Sequence, residues 1–304
     1  MVNIVLVLAC LLIGYLLQRV KDFPDDAPAA LNQFVIYISL PALALIHIPR
    51  IELELALLYP ILTSWIVLFL SMLVIPPLSK VFNWDRETTG CLLLTAGFGN
   101  TAFIGLPVIE ALYGSDALQI ALMVDQPGSF VAITTFGIII ASIYSAGTTR
   151  KRLILKKILL FPPFITFIFA LIMNVSGVQA EGVALGVLER FGATVIPLAL
   201  ISVGLQLQIN MDRKHLLPLV YGLGYKLFVA PAFLYFLYVI LFGGSDLMVE
   251  VSIMQAAMAP MIAGSILAMT FGLNPRLATL MVGFGVPLSF LTLACWYFLL
   301  LWAA

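Results

Sequence analysis

Charge is what this sequence has least of. Asp, Glu, Lys and Arg make up 10% of its 304 residues, against roughly 25% in an ordinary soluble domain. With 62% hydrophobic residues and a mean hydropathy of +1.13, the scarcity excludes a water-soluble globule. The few charges also balance, 15 basic against 15 acidic, so no net field gathers nucleic acid or an acidic partner. Cysteine is rare. Cys10, Cys91 and Cys295 all lie in apolar segments and no CxxC exists, which argues against a disulfide framework or a zinc site. Histidine is scarcer still, with only His47 and His215, both near membrane borders. HExxH, GxSxG and paired catalytic carboxylates are missing, so an enzyme is not expected. The start, MVNIVLVLACLLIGYLL, lacks a positive n-region and a small-residue cleavage site, and reads as a retained span rather than a signal peptide.

What the sequence does have is long unbroken apolar runs. These favour helices over a barrel, whose strands alternate apolar and polar residues. Ten spans are predicted, at about 3–19, 29–48, 55–79, 89–113, 117–145, 157–177, 184–208, 215–242, 247–271 and 276–302. Short polar connections such as FPDDAP, NWDRE, GGSD and GLNPR separate them. The expected fold class is an all-α polytopic membrane protein. With the N-terminus outside, Arg19, Lys21, Lys80, Arg86, Arg213, Lys214, Arg276 and the basic run TTRKRLILKK fall on the cytoplasmic side. Only Arg50 and Arg190 fall outside, the asymmetry expected of cytoplasmic loops. An even number of spans puts the C-terminus outside too, and the basic run reads as a topology-fixing loop.

The two halves resemble each other at an offset of about 158 residues. Leu122-Met123-Val124 recurs as Leu280-Met281-Val282, Tyr113-Gly114 as Phe271-Gly272, and Pro60 as Pro218. Ser129-Phe130 and Pro41 find counterparts in Ser289-Phe290 and Pro197, with two residues of slack. Five spans per half is an odd number, so the second half must insert upside down, the inverted repeat of many secondary transporters. The chain then divides into a first repeat at 1–146, a basic cytoplasmic linker at 147–156 and a second repeat at 157–304.

Span 4 contains TAGFGNTAFIGLPVIEALYG, with Gly97, Gly99, Asn100, Gly105 and Pro107 close together. Gly weakens a helix, and Pro removes a donor and clashes one turn back. Non-helical backbone at membrane depth persists only where protein buries it or water wets it. A helix broken at Asn100 is therefore expected. The repeat sets span 9 opposite, where Ala259-Pro260 is followed by Gly264 and Ser265. Paired interruptions in the two halves point to a transporter's binding site. At about 1.5 Å per residue, Asn100, Asp125, Lys226 and Pro260 each lie roughly 12–16 Å into their spans. An ionisable residue at that depth is a functional candidate. Lys226 would attract an anion or neutralise a carboxylate such as Asp125. Asp125, with Gln126 and Pro127 beside it, would carry a proton or ligate a cation. Gln255 would bond substrate or freed backbone, and Glu110 reads as solvated near the outer end of span 4. Half-helix N-termini at the breaks present unpaired N–H groups that suit a carboxylate. Trp65, Phe136, Tyr144, Tyr221 and Tyr225 read as core, lipid contact or interface belt.

GNTAFIGLPVIEALYG in span 4 and QAAMAPMIAGSILAMTFGLNP in span 9 resemble the auxin efflux carrier family, which includes plant PIN-type exporters and bacterial carboxylate permeases. Plant members carry Pro one place earlier, where this chain has Ala259. The resemblance implies ten transmembrane helices as two inverted five-helix repeats, with helices 4 and 9 broken and crossing. It also implies a scaffold of spans 1, 2, 6 and 7, a moving domain of spans 3–5 and 8–10 in an elevator-like cycle, and a homodimer. The architecture is similar to that of bile acid:sodium symporters and sodium/proton antiporters. The expected function is secondary transport of a small organic anion, a carboxylate or an auxin-like acid. A Na+-coupled symporter or a cation/proton antiporter is the alternative. Gly99, Asn100, Thr101, Gln255, Ala259, Pro260, Met261 and Lys226 are expected to line the substrate site, and Asp125 and Gln126 to couple an ion. No organic cofactor or metal is expected, H+ or Na+ being the candidate coupling ions. The partners are the substrate, membrane lipids and a second copy of the chain, with no nucleic acid. The setting is the plasma (inner) membrane.

Overall fold

The computed structural model describes residues 2–24, 26–50, 54–145, 162–206 and 213–303. Among them every regular element is helical. Among the described residues six helical stretches are long and apolar enough to cross a bilayer: Ala27–Arg50, Leu55–Val81, Ser115–Tyr144, Gly182–Gln206, Leu216–Leu241 and Pro275–Trp302. Each matches a predicted span. The other four predicted spans contain shorter apolar helices, Leu8–Leu17, Thr101–Tyr113, Ile165–Val175 and Leu247–Ala256. The linker at 147–156, its basic run and the start of predicted span 6 lie outside the described residues.

The chain packs as two compact units. The first comprises Met1–Leu55, Ala102–Leu122 and Lys156–Leu207. It contains α1 (Val2–Leu17), α2 (Ala27–Phe34), α3 (Leu40–His47), α6 (Leu106–Tyr113), most of α7 (Leu118–Met123), α9 (Pro162–Val175), α10 (Gly182–Gly192) and α11 (Val195–Gln206). Helices α1 and α11 touch backbone to backbone. A Cβ on Gly14 would lie 2.3 Å from the Ile201 carbonyl oxygen, and one on Gly204 would lie 2.4 Å from that of Leu11. Lipid tails are as apolar as Leu, so membrane helices gain by close packing rather than by the hydrophobic effect, and small residues permit it. Polar side chains pin the rest. Gln18 donates to the Gly204 carbonyl at 2.8 Å, Ser202 to Asn32 Oδ1 at 2.6 Å, and Ser39 and Thr194 share a 2.7 Å bond.

The second unit comprises Ala56–Thr101, Met123–Leu155 and Gln208–Ala304. Its helices are α4 (Leu58–Val81), α5 (Arg86–Thr95), α8 (Ile138–Tyr144), α12 (Leu216–Gly224), α13 (Ala230–Tyr235), α14 (Leu247–Ala256), α15 (Ile262–Thr270) and α16 (Pro275–Ala303). Both α5 and α14 begin on an aspartate cap. Asp85 Oδ1 accepts from the Thr88 N–H at 2.7 Å, and Asp246 Oδ1 accepts from the Val249 N–H at 2.9 Å. Such caps satisfy orphan donors and typically stabilise by about 1 kcal/mol. Both helices then stop after ten residues, at the glycines and the proline that the sequence places there. Asn274 adopts a positive φ of 42° and ties the start of α16 to α5, its Nδ2 donating to Thr88 Oγ1 at 2.8 Å.

Candidate functional site

The two interruptions meet within the second unit. Residues 96–100 after α5 and 257–261 after α14 leave the helical path, and Gly99 pairs with Pro260 in an isolated antiparallel bridge. The Asn100 N–H donates to the Ala259 carbonyl at 2.8 Å, and the Met261 N–H donates to the Phe98 carbonyl at 3.2 Å. Each broken segment thus supplies the partner its neighbour lost, which buried backbone in a membrane requires. The register explains the residue types. The flanking residues donate, so Pro260 occupies the one position where a missing N–H costs nothing. Gly99 occupies a tight position. A Cβ there would stand 3.1 Å from Lys226 Nζ and 3.3 Å from the Gln255 carbonyl oxygen. The bridge centres on Pro260, not on Ala259.

The helix ends around this bridge are matched by charge and by shape. Lys226 is fully buried on the π-helical turn Tyr225–Val229. Its Nζ donates at 2.5 Å to the carbonyl of Ala256, the last residue of α14. A cation at a helix C-terminus satisfies an orphan carbonyl and offsets the negative end of the dipole. The N-terminus of α15 abuts the end of α5 so closely that a Cβ on Gly264 would lie 2.0 Å from the Leu94 carbonyl oxygen. Gly285 leaves space for Pro260, whose Cδ would be 2.5 Å from a Cβ there.

Asp125 lies on another π-helical turn, Val124–Phe130, which contains Pro127. Wide turns of this kind free backbone groups and recur at functional sites, although this span has a second one and other spans contain them too. Trp65 Nε1 donates to the Pro127 carbonyl at 3.1 Å. Gly128 lets the turn lie against α4, where a Cβ would come within 3.2 Å of Ser64 Oγ. Thr101 Oγ1 donates to Asp125 Oδ1 at 2.5 Å, and Gln126 Nε2 donates to Asp125 Oδ2 at 2.7 Å. Gln255, also fully buried, donates through Nε2 to the Thr101 carbonyl at 3.4 Å. The amide oxygens of Gln126 and Gln255 are buried without a hydrogen-bond partner. A buried acceptor left unsatisfied costs about 1–3 kcal/mol, a cost that a bound ligand or ion with a donor would remove.

All ten residues singled out from the sequence therefore belong to one connected neighbourhood. Gly99, Asn100, Ala259, Pro260 and Met261 form the bridge, Lys226 abuts it, and Gln255 and Thr101 join it to Asp125 and Gln126. The expected pairing of Lys226 with Asp125 is not found. Among the described residues neither has an ion-pair partner, because Lys226 is turned to a helix end and Asp125 to hydroxyl and amide donors. Glu110 lies on α6 in the other unit and is half-buried. Ser64 and Ser129 were missed. Both are small hydroxyls inside apolar spans, and only the packing of α4 on the Asp125 turn gives them a role. An apolar hollow of about 540 Å³ elsewhere in the second unit, between α12 and α16, is lined by Leu219, Leu223, Phe228, Phe284 and Pro287 among others and offers an anion no anchor. Trp65, Phe69 and Phe136 pack on one another, as core or lipid-facing rings would.

Two broken apolar helices bridged through their backbones, with a buried lysine and a buried aspartate beside them, define the class of membrane transporter. The chain belongs to the auxin efflux carrier-like family of membrane transport proteins, whose pattern it matches over residues 1–297. An uncharacterized transporter of Methanothermobacter thermautotrophicus is 26% identical over 295 residues, 95% of each chain. One of Methanocaldococcus jannaschii is 26% identical over 310 aligned positions, 98% of each chain.

Proposed function

We propose that this protein is a secondary active transporter of a small organic anion, a carboxylate or an auxin-like acid, that cycles by an elevator-type alternating-access movement. The observation that carries the reading is the Gly99–Pro260 bridge with Lys226 Nζ beside it. A backbone break stabilised at that depth, next to a buried ammonium, suits a negatively charged ligand. The proposed topology is ten spans in two inverted five-span repeats, 1–146 and 157–304, joined by the basic cytoplasmic linker. Both termini face the outside of the plasma (inner) membrane, and the assembly is a homodimer. The partition of the chain supports a division of labour between scaffold and carrier. One unit gathers predicted spans 1, 2, 6 and 7, the other predicted spans 3, 8, 9 and 10, with spans 4 and 5 divided between them. Asp125 and Gln126 serve as the coupling group for H+ or Na+. Their buried, oxygen-rich surroundings are what keep the alternative of a cation-coupled symporter or antiporter in view.

The test is uptake into proteoliposomes of a panel of labelled carboxylates (acetate, lactate, succinate, malate and indole-3-acetate), each with and without a sodium or proton gradient. Saturable accumulation of at least one carboxylate is expected. Gradient-driven cation flux with no carboxylate uptake would replace this reading with cation exchange. Current without saturation would indicate a channel.

A further inference from the structure

Four oxygen-bearing side chains from three membrane segments stand in a hydrogen-bonded file. Ser64 Oγ on α4 is 2.7 Å from Ser129 Oγ. Ser129 Oγ is 2.9 Å from Thr101 Oγ1, and Thr101 Oγ1 is 2.5 Å from Asp125 Oδ1. At the far end, Ser64 Oγ also lies 3.2 Å from the Val124 carbonyl oxygen. Thr101, Asp125 and Ser129 are 3% exposed or less, while Ser64 is the most open of the four at 8%.

A hydroxyl has one proton to donate and lone pairs with which to accept. The file therefore has two complete settings. With Asp125 ionised, Ser64 donates to Ser129, Ser129 to Thr101, and Thr101 to the carboxylate. With Asp125 neutral, its own O–H donates to Thr101, Thr101 to Ser129, Ser129 to Ser64, and Ser64 to the Val124 carbonyl. Every hydroxyl is satisfied in both settings, and the Val124 carbonyl is the acceptor that the second one needs.

We infer that the Ser64–Ser129–Thr101 file is a proton relay that loads and unloads Asp125. The inference rests on the reading of Asp125 as the coupling group, and it names the proton as the ion coupled. The step balances. A hydronium at the Ser64 end gives its proton to Ser64 Oγ, and Ser64 passes its own proton to Ser129. Ser129 passes its proton to Thr101, and Thr101 passes its proton to Asp125. One proton enters, the carboxylate becomes a carboxylic acid, and each hydroxyl keeps one hydrogen while reversing its direction. Unloading is the same sequence backwards.

The spacing favours a proton over a metal cation. Gaps of 2.5–2.9 Å are ordinary O–H···O bonds. Oxygens ligating a cation at roughly 2.3–2.6 Å would stand about 3.3 Å or more from each other, so a bound Na+ would have to force the file apart. The charged and titratable surroundings leave Asp125 as the group the relay serves. On α4 the ionisable residues are Tyr59 and Lys80, and Lys80 is sixteen residues, about 24 Å, from Ser64. Ile133–Gly137 brings none. On α14, Gln255 reaches Thr101 and Glu250 lies in the first turn. Lys226 is committed to the Ala256 carbonyl.

The experiment is infrared difference spectroscopy on the purified full-length protein. A protonated-carboxyl band that grows in on acidification and vanishes in Asp125→Asn identifies the group. After a pH jump, its rise should slow at least tenfold in Ser64→Ala and in Ser129→Ala, while Ser64→Thr, which restores a hydroxyl, should keep the wild-type rate. Ser64 ends the file, so its variant carries the test even if Ser129→Ala does not fold. Unchanged rates in the alanine variants would overturn the relay. So would a midpoint displaced competitively by NaCl and not by choline chloride, which would reassign the oxygens to a sodium site. A normal relay together with a pH profile of carboxylate uptake that survives Asp125→Asn would instead sink the coupling role of Asp125.

Discussion

Lys226 puts its ammonium against a carbonyl rather than a carboxylate, and that choice has consequences at the scale of one side chain. The Ala256 carbonyl is only a partial charge, so a protonated Lys226 would leave charge for an incoming anion to neutralise. Lys226→Met keeps the stem and loses the charge. Carboxylate affinity should fall at least tenfold in a binding titration. Thermal stability should move little, since relief of a buried charge offsets one unsatisfied carbonyl worth about 1–3 kcal/mol. Equal losses of stability and affinity would make Lys226 a structural cap only. Asn100 contributes a backbone donor to the bridge, which any residue but proline would keep. The bridge uses only its backbone, so Asn100→Ala should abolish uptake while the protein still purifies as a folded species. Asp125→Asn should flatten the pH dependence of uptake, because the amide cannot alternate between the two directions of the hydroxyl file.

At the scale of elements, glycine governs which helices can touch. Gly264 brings the start of α15 onto the last turn of α5, and Gly14 with Gly204 brings α1 onto α11. In each case the obstacle to a methyl group is backbone, which cannot swing aside. Gly264→Ala should destabilise by about 1–3 kcal/mol and displace the bridge, costing both melting temperature and uptake. Gly14→Ala should cost similar stability without altering the substrate affinity of whatever protein remains folded. A calorimetric or fluorescence melt beside a binding titration separates the two. The breaks themselves were legible in the sequence, since Gly97, Gly99, Asn100 and Pro260 cannot continue a helix without loss. That Gly99 would face Pro260, and not Ala259, depended on hydrogen-bond register, which favours the residue lacking an N–H only after the two segments are apposed.

At the scale of the whole molecule, orientation is the quantity most open to test. If the N-terminus is outside and ten spans follow, a membrane-impermeant thiol reagent applied to intact cells should label Ala304→Cys and spare Thr149→Cys, both built on a background without native cysteines. The reverse pattern would invert the topology. The six long spans were readable because apolar runs of more than twenty residues have few other uses. Predicted spans 4 and 9 were readable only as broken spans. Their described helices, Thr101–Tyr113 and Leu247–Ala256, are too short to cross a bilayer because each is half of an interrupted path. Packing groups the chain differently from the proposed repeat. A repeat follows chain order, whereas contacts gather whichever faces fit, so residues 102–122 join the first unit while 56–101 and 123–146 of the proposed first repeat join the second.

By itself the sequence determined that this protein is a helical membrane transporter with weak points in predicted spans 4 and 9, because apolarity, helix breakers and rare charges within apolar runs are properties of the chain read in order. Tertiary structure alone decided that Lys226 turns to a helix end rather than to Asp125, and that Ser64 and Ser129 stand in line with the carboxylate. Hydrogen bonds form between groups that packing brings within about 3 Å, and residues 65 positions apart along the chain carry no local mark of that meeting.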